Sequence, residues 1–166
     1  MNLFKRIARW YDFKRRGIKV WPGAYVYPSA SIGDNVSIGR HAEIGNNVFI
    51  GPRTRIGHSA FIPEGVTIEP DVFIGPGVVM TNDTFPPSPK HDWKKTLVME
   101  RAAVGAGCVI KPGVTIGPFA TIGCGSVVTK NIPAGEIWDG NPAKKIETSR
   151  ELQHDYSAFM AKLEKV

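Results

Sequence analysis

The chain has 166 residues, of which 42% are hydrophobic and 22% charged, so it is long enough for one domain with a substantial core and too short for two. It contains no run of about 18 apolar residues that could cross a membrane and no apolar N-terminal core typical of a signal peptide, and Cys108 and Cys124 fit neither a disulfide framework nor a zinc-ligand spacing. The formal net charge of +6 favours an anionic partner without deciding its kind, while 18 Gly and 13 Pro require many tight turns.

The first predicted element is an amphipathic helix over residues 2–16, within a lead-in segment that spans residues 1–19. We expect the apolar face of this helix to cover one end of the domain that follows. The residues of that face are Phe4, Ile7, Ala8 and Tyr11. The same segment carries six Lys or Arg residues, so peripheral contact with a membrane surface is an open alternative.

An aliphatic or Met residue then recurs every six positions without a gap. These residues are Val20, Val26, Ile32, Ile38, Ile44, Ile50, Ile56, Ile62, Ile68, Ile74 and Met80. A fixed period of this kind indicates a repeat architecture. Gly follows the aliphatic residue in six hexads, and we expect the missing Cβ to permit the backbone conformation of a sharp corner. The six corner glycines are Gly33, Gly39, Gly45, Gly51, Gly57 and Gly75.

The fourth residue after each aliphatic one is small or β-branched, as in Ala42, Val48 and Thr54, which suits a strand around a narrow interior. Apolar residues six positions apart do not form a helical stripe, and the hexads lack the reversal signals of a hairpin-built sandwich. The sequence therefore predicts an all-β fold, a parallel β-helix of hexapeptide repeats over residues 20–133.

The repeat is interrupted once, by residues 81–97, which contain three prolines and no hexad pattern. We expect an exposed loop there, and long ordered loops on repeat scaffolds usually carry function. The array resumes with Val98, Val104, Ile110, Ile116, Ile122 and Val128.

The C-terminal segment, residues 134–166, holds the sequence GNPAK and a second amphipathic stretch over residues 148–164. Thr148 or Ser149 is a suitable N-cap for a short helix over that stretch. Because an open end of a β-helix exposes unpaired backbone groups, we expect this helix to cover the second end.

The hexad array, the single loop and the ending IGCGSVVTKNIPAGEIWDGNPAKKI resemble the left-handed β-helix hexapeptide acyltransferases over residues 20–146. The resemblance implies left-handed coiling and a homotrimer. It also implies that acetyl-CoA or another acyl-CoA binds as co-substrate in the cleft between neighbouring β-helices, with no metal.

A narrower resemblance lies in the stretch VTIEPDVFIGPGVVMTND and the loop sequence DWKKTLV. These are similar to enzymes that N-acylate the 3-amino group of nucleotide-linked amino sugars for surface polysaccharide synthesis. The resemblance implies that Asn82 helps to hold the sugar amine beside the thioester, and that Thr81 and Glu69 belong to the substrate site. Related loops often carry Pro-Arg where this chain has Pro86-Pro87, so a cation expected from the family is missing.

The candidate catalytic residues all lie in the loop. An amine that attacks a thioester must be neutral, correctly aimed and met by donors for the oxyanion. Asn82 can accept a hydrogen bond from the amine, although Thr-Asn-Asp is also ordinary turn chemistry. Asp83 is a candidate proton acceptor and His91 a candidate base near neutral pH, although both residue types are common on solvated loops. The departing CoA thiolate, whose thiol has a pKa of about 8.5, is an alternative proton acceptor.

The cofactor is expected along the last coils, where backbone groups serve the oxyanion and the pantetheine amides. Small residues permit close approach there, Lys side chains neutralise phosphates, and the GNPAK turn shapes the end of the groove. The predicted cofactor-binding residues are Gly105, Gly123, Ser126, Lys130, Asn141, Pro142 and Lys144.

Other functions are open to the same sequence. An O-acetyltransferase for a sugar or small hydroxylated acceptor would be expected to need a positioned base. A zinc protein like the γ-class carbonic anhydrases would need three metal-ligating histidines, and the four His residues lack the HxxxxH pair of that family. A noncatalytic scaffold would not respond to CoA. Nucleic-acid binding is disfavoured because no base-reading module accompanies the positive charge. The two isolated cysteines favour a reducing cytoplasm.

Overall fold

The computed structural model describes residues 11–146. Residues 11–15 are helical, nineteen short strands follow, and a single 3-10 turn at Lys90–Asp92 lies between β11 and β12. In chain order the strands are β1 (Lys19–Val20), β2 (Tyr25–Val26), β3 (Ser31–Ile32), β4 (Ser37–Ile38), β5 (Glu43–Ile44), β6 (Phe49–Ile50), β7 (Arg55–Ile56), β8 (Phe61–Ile62), β9 (Thr67–Ile68), β10 (Phe73–Ile74), β11 (Val79–Met80), β12 (Leu97–Val98), β13 (Ala103–Val104), β14 (Val109–Ile110), β15 (Thr115–Ile116), β16 (Thr121–Ile122), β17 (Val127–Val128), β18 (Ile137–Gly140) and β19 (Ala143–Lys145). In this part of the chain no helix has the length and apolar character needed to cross a membrane.

The strands form three sheets that run along a triangular column of about seven turns. Sheet A has the order β1-β4-β7-β10-β13-β16-β18-β19, sheet B the order β2-β5-β8-β11-β14-β17, and sheet C the order β3-β6-β9-β12-β15. Successive strands therefore pass from A to B to C and then back to A one coil further on. All pairings are parallel except that of β18 with β19. The predicted fold class, a parallel β-helix of hexapeptide repeats, is confirmed.

The core is a stack of aliphatic side chains on the column axis. The second residue of each two-residue strand points inward, and Ile38, Ile44 and Ile50 are fully buried. The small residues predicted to face the interior are buried as well, including the polar Thr54. Its hydroxyl donates to the Glu69 carbonyl oxygen at 2.9 Å, so no polar group is left unsatisfied at that position. The hexad period therefore reports the inward face of the column directly.

The glycines that follow the aliphatic residues lie at the corners as predicted, but the predicted reason was wrong. Their backbone is not in the left-handed region. A Cβ on Gly33 would instead lie 2.5 Å from the backbone nitrogen of Pro52, and one on Gly57 would lie 2.4 Å from that of Pro76. These residues are glycine because the corner of the next coil rests on them.

The left-handed backbone conformation occurs two residues further along each corner, and half of these residues are not glycine. Those with a side chain are Asn35, His41, Asn47, Arg53, Ser59, Asp71, Arg101 and Phe119, with φ between 53° and 60°. A residue with a side chain is strained in this region. The coil geometry therefore imposes the conformation, since the residue types at these positions do not announce it.

Both described ends of the column are covered by side chains. Phe13 packs against the core at the first coil. At the last coil Trp138 of β18 is 8% exposed and stacks next to Ile122, and its indole N–H donates to the Glu136 carboxylate at 2.8 Å. The predicted N-terminal helix is seen at residues 11–15, whereas residues 1–10 and the predicted C-terminal helix lie outside the described residues.

The two kinds of corner glycine predict different costs of substitution. Gly57→Ala should lower the free energy of unfolding by about 3 kcal/mol or more, because its Cβ would meet backbone atoms of the next coil that cannot move aside. Gly77→Ala should cost about 1–2 kcal/mol, because Gly77 has φ +66° but open space around its Cβ position. Urea unfolding of both variants at one protein concentration measures the difference, and equal losses would contradict the stacking explanation.

Candidate functional site

The loop leaves the column where sheet B meets sheet C, a vertical edge that we name the B–C corner; the A–B and C–A corners are named in the same way. The Lys94 backbone N–H donates to the Asn82 carbonyl oxygen at 2.8 Å and closes the stem of the loop. Residues 83–93 therefore project from the column while Asn82 stays at its surface.

Thr81 and Asn82 are fixed to the coils on either side of the loop. The backbone N–H and the hydroxyl of Thr81 both donate to the carbonyl oxygen of Ile110 in the following coil, at 3.0 and 2.9 Å. The side-chain amide nitrogen of Asn82 donates to the carbonyl oxygen of Glu64 in the preceding coil at 3.3 Å. This bond orients the amide, and among residues 11–146 no donor is recorded to the Asn82 Oδ1 atom. That oxygen can therefore accept a hydrogen bond from a ligand.

Asp83 organises the loop from within. Its carboxylate accepts hydrogen bonds from the Ser88 hydroxyl at 2.6 Å, from the Ser88 backbone N–H at 2.8 Å and from the Phe85 backbone N–H at 3.1 Å. These bonds, the Ser88 hydroxyl first, hold the pKa of the Asp83 carboxyl below its usual range. A carboxylate stabilised in this way is a weak proton acceptor. The predicted catalytic role of Asp83 stays a prediction, while its structural role is evident.

His91 lies at the loop tip in the 3-10 turn. Its side chain is 80% exposed, and its Nε2 atom lies 3.7 Å from an oxygen of the neighbouring Asp92. Within the single chain His91 thus faces solvent, and its role as a base stays a prediction.

Glu64 is the residue of this site that the sequence reasoning missed. Its carboxylate lies 2.6 Å from the ammonium of Lys90, and that ammonium lies 5.3 Å from the centre of the Trp93 ring. The Trp93 Nε1 atom is buried and has no hydrogen-bond partner among the described residues. Glu64 occupies an ordinary corner position of its hexad, so no sequence signal distinguishes it from the other corner residues.

The predicted cofactor residues near the A–B corner are brought together around Asp139. Ser126 is buried, its hydroxyl lies 2.7 Å from both the Gly123 carbonyl oxygen and the Asp139 carboxylate, and it accepts a hydrogen bond from the Gly140 N–H. A Cβ on Gly123 would lie 2.5 Å from the Asp139 carboxylate, and one on Gly105 would lie 2.7 Å from the Cys124 backbone nitrogen. Packing alone accounts for these small residues, so their contact with a cofactor stays a prediction.

The GNPAK segment forms the turn of the β18–β19 hairpin, in which Asp139 pairs with Lys144. Asn141, Pro142 and Lys144 are exposed on this turn. Lys130 belongs to the B–C corner instead, and its ammonium lies 5.4 Å from the centre of the Trp138 ring. The hairpin was not predicted from the sequence.

Glu69 lies at the third corner, C–A, where its carboxylate accepts a hydrogen bond from the Glu100 backbone N–H at 2.9 Å. Five residues of extended chain separate it from Glu64 at the B–C corner, a span of about 16 Å. The single chain therefore places the predicted residues on three different edges, with Asn82 and the GNPAK hairpin on opposite sides of sheet B.

Within residues 11–146 no group of three His, Cys, Asp or Glu side chains is arranged to hold a metal ion. His41 and His58 lie at the A–B corner and His91 lies in the loop, while His154 is outside the described residues. His58 uses its Nδ1 atom to accept a hydrogen bond from the Arg40 backbone N–H at 2.8 Å.

Comparison with protein families gives a match of six repeats to the family described as bacterial transferase hexapeptide, over residues 41–82 and 95–130. The chain belongs to this hexapeptide-repeat family. The gap between the two matched stretches falls on the loop and its stem, which are the part of the chain that carries Asp83 and His91. A comparison with curated proteins found no match.

Three solved structures show how widely this hexapeptide-repeat column is shared. A GDP-perosamine N-acetyltransferase mutant from Caulobacter crescentus, in complex with CoA and GDP-perosamine, is 25% identical with a TM-score of 0.69, over 86% of this chain and 65% of that chain. The acetyltransferase domain of PglB from Neisseria gonorrhoeae, in complex with acetyl coenzyme A, is 24% identical with a TM-score of 0.70, over 85% and 66%. The N-acyltransferase AntD from Bacillus cereus, as a mutant with dTDP and Coenzyme A, is 20% identical with a TM-score of 0.69, over 92% and 95%.

The chain thus spans just under two thirds of the perosamine enzyme and of the PglB domain. At 24% and 20% identity, the likeness to the PglB domain and to AntD shows the shared fold.

The role of Ser88 in the loop predicts a shift in the titration of Asp83. Ser88→Ala removes the hydroxyl that contributes most to lowering the pKa of Asp83, so this pKa should rise towards the ordinary Asp value of about 3.9. Carboxyl-detected NMR titration of the two proteins measures the change. An unaltered pKa would show that Ser88 does not hold the loop carboxylate in solution.

Proposed function

We propose that this chain is an acyl-CoA-dependent N-acyltransferase that acetylates the amino group of a nucleotide-linked amino sugar. Support comes from the fold shared with an enzyme bound to CoA and GDP-perosamine. The observation that carries the proposal is the Asn82 amide, held by the Glu64 carbonyl so that its Oδ1 atom is available to an N–H donor at the base of the loop. The amine would donate one N–H to this oxygen, which aims the nitrogen lone pair at the thioester.

The proposed reaction is a direct attack. The amine nitrogen forms a bond to the thioester carbonyl carbon, the carbon–sulfur bond breaks, and the nitrogen gives its extra proton to the departing thiolate. The thiol has a pKa of about 8.5, so the thiolate can accept this proton without a protein base. The described loop favours this route, because Asp83 is stabilised in its charged form and His91 is solvent-facing.

Phosphate binding is supported by the charge of the B–C corner beyond the loop. Its segments 94–96, 111–114 and 129–131 contain four lysines and no acidic residue. These residues are Lys94, Lys95, Lys111 and Lys130. Among residues 11–146 no salt bridge is recorded for any of them, so the ammonium groups can meet the phosphates of acyl-CoA or of a nucleotide. Lys144 on the hairpin and Glu69 at the C–A corner are proposed as further contacts.

We also propose that the working unit is a homotrimer. The outward residues of sheet B form a ladder that is apolar at five of six positions, and several members are well exposed in the single chain. The ladder consists of Tyr25, Glu43, Phe61, Val79, Val109 and Val127. Because sheet B separates Asn82 from the GNPAK hairpin, a neighbouring copy packed here would bring the loop of one copy towards the cofactor corner of another. An exposed apolar ladder is typical of a protein–protein contact.

The product would be an N-acylated nucleotide sugar, and we propose that it serves polysaccharide synthesis in the cytoplasm. Both described cysteines are free thiols, which supports a reducing compartment.

Asn82→Ala should lower kcat for acetyl transfer to a nucleotide amino sugar by about 100-fold, because the amine loses the acceptor that aims it. Release of free CoA thiol from acetyl-CoA, screened over several nucleotide amino sugars, is the assay. CoA affinity, measured by thermal stabilisation, should not change. Asn131→Ala is the matched control at the same corner, since the Asn131 side chain caps the Thr115 backbone N–H. A wild-type chain that CoA does not stabilise and that releases no thiol would refute the proposed activity.

Val79→Asp should convert the trimer to monomers, because the contact would bury an unpaired carboxylate. Sedimentation velocity measures the change, and thiol release should fall with it. Phe49→Asp, at an outward position of sheet C with 43% exposure, is the control and should keep the trimer. A wild-type monomer, or dissociation by Phe49→Asp alone, would contradict the assignment of sheet B.

A further inference from the structure

We propose that Glu64 is a positioning residue that fastens both arms of the loop to the preceding coil and thereby fixes Asn82 against the sugar amine. This inference rests on the proposed N-acyltransferase function, because it assigns Asn82 to the amine. Neither the family match nor the solved structures described above point to Glu64. The inference comes from the hydrogen bonds and ion pair around this one residue.

Glu64 holds the outgoing arm through its backbone. It lies two residues after β8, and the pairing of Thr67 with Leu97 places it opposite Lys94, one coil below. From there its carbonyl oxygen accepts the Asn82 side-chain N–H at 3.3 Å, while the Lys94 N–H closes the stem on the Asn82 carbonyl. The side chain of Asn82 is thus bonded down to one coil and its backbone is bonded across the stem.

Glu64 holds the returning arm through its carboxylate. One oxygen lies 2.6 Å from the Lys90 ammonium, and the other accepts a long hydrogen bond of 3.5 Å from the Asn47 side chain. Only 26% of the Glu64 side chain is exposed, so the pair is partly shielded from solvent. The Lys90 ammonium also lies over the Trp93 ring, which ties the 3-10 turn to the same point.

The two attachments make the position of Asn82 depend on the ion pair. Without the Glu64 carboxylate, the returning arm keeps the stem bond of Lys94 and the Asp83 bonds within the loop but has no recorded side-chain bond to the column from Lys90. Both oxygens of the Glu64 carboxylate are already bonded, which leaves the Asn82 Oδ1 atom as the acceptor for the amine. Glu64 therefore acts through Asn82 and not on the substrate.

This role predicts a split between the two substrates. Loss of the ion pair should raise KM for the amino sugar and lower kcat, because the amine is aimed less well. Acyl-CoA affinity should not change, because the proposed cofactor residues lie along the last coils and on the β18–β19 hairpin. A structural defect that loosened the whole column would weaken both substrates together.

The test is a charge exchange between Glu64 and Lys90. Glu64→Gln, Glu64→Lys and Lys90→Glu should each lower kcat/KM for the amino sugar by about tenfold, at unchanged Kd for CoA, in line with the loss of one charged hydrogen bond. The double variant Glu64→Lys/Lys90→Glu should recover to within about threefold of wild type, because the ion pair reforms with its charges reversed.

Asp71→Asn is the matched control. It breaks another ion pair between neighbouring coils, Arg53 with Asp71 at 2.6 Å, at the C–A corner. Its acceptor kinetics should equal those of wild type. The inference is overturned if the Glu64 variants behave like this control, if the double variant is no better than the singles, or if CoA affinity falls in parallel with kcat/KM.

A readout that needs no turnover separates this inference from the proposed function. Amide hydrogen exchange of residues 83–93 should accelerate in each single variant and slow again in the double variant. Absence of acyl transfer in the wild type would refute the function while the exchange data still judge the fastening. Unchanged exchange in all variants would refute the fastening, even in an enzyme whose activity depends on Asn82.

Discussion

Each coil of the column rests on the backbone of the next, and the closeness of this contact governs the rest of the structure. The glycine after each inward aliphatic residue leaves no room for a Cβ, since one on Gly57 would lie 2.4 Å from the Pro76 nitrogen. The strands can then pair in parallel register, and every inward aliphatic residue stacks on its counterpart 18 residues later, or 30 residues later across the loop. The stack buries a continuous apolar core from coils that could not bury one alone.

A stack this regular leaves little freedom for function except where the chain leaves it. The loop does so at one corner, and its first residues remain bonded to the coils on either side through the Ile110 and Glu64 carbonyl oxygens. The projecting part has its own internal fastening in Asp83 and Ser88. The rigid column can thus hold Asn82 in place while the loop adds side chains that the hexads cannot supply. Precise placement of this kind is what an uncatalysed proton balance would require of an acyl transfer.

The three corners divide the proposed work. Asn82 and the lysines occupy the B–C corner, and the hairpin with Lys144 extends from the far end of sheet A. Glu69 lies apart at the C–A corner. The apolar ladder of sheet B lies between the first two groups, which is why association of copies is part of the proposed function and not an addition to it. The same column in the perosamine enzyme accommodates CoA and a nucleotide sugar together.

Much of the fold was determined by the sequence alone, because an aliphatic residue every six positions has only one economical arrangement, a coil with one inward residue per side. The inward residues, the corners and the loop boundaries followed from that period, as did the family. The physical reason for the corner glycines did not, because contact with the next coil lies 19 residues away in the chain and leaves no local pattern. The left-handed corner residues such as Arg53 and Asp71 escaped for a similar reason, since the coil overrides their own preference.

The candidate site shows the same division. Asn82 was found from a short motif within one segment, but its partner Glu64 lies one coil away and has no unusual neighbours in the sequence. Ser126 was taken for a cofactor contact because it is small, and only the packed structure shows its hydroxyl bonded between Gly123 and Asp139. Sequence period decides which way each residue faces in a stacked coil; which side chains meet across coils is decided by register and by the loop's path, and these exist only in the folded chain.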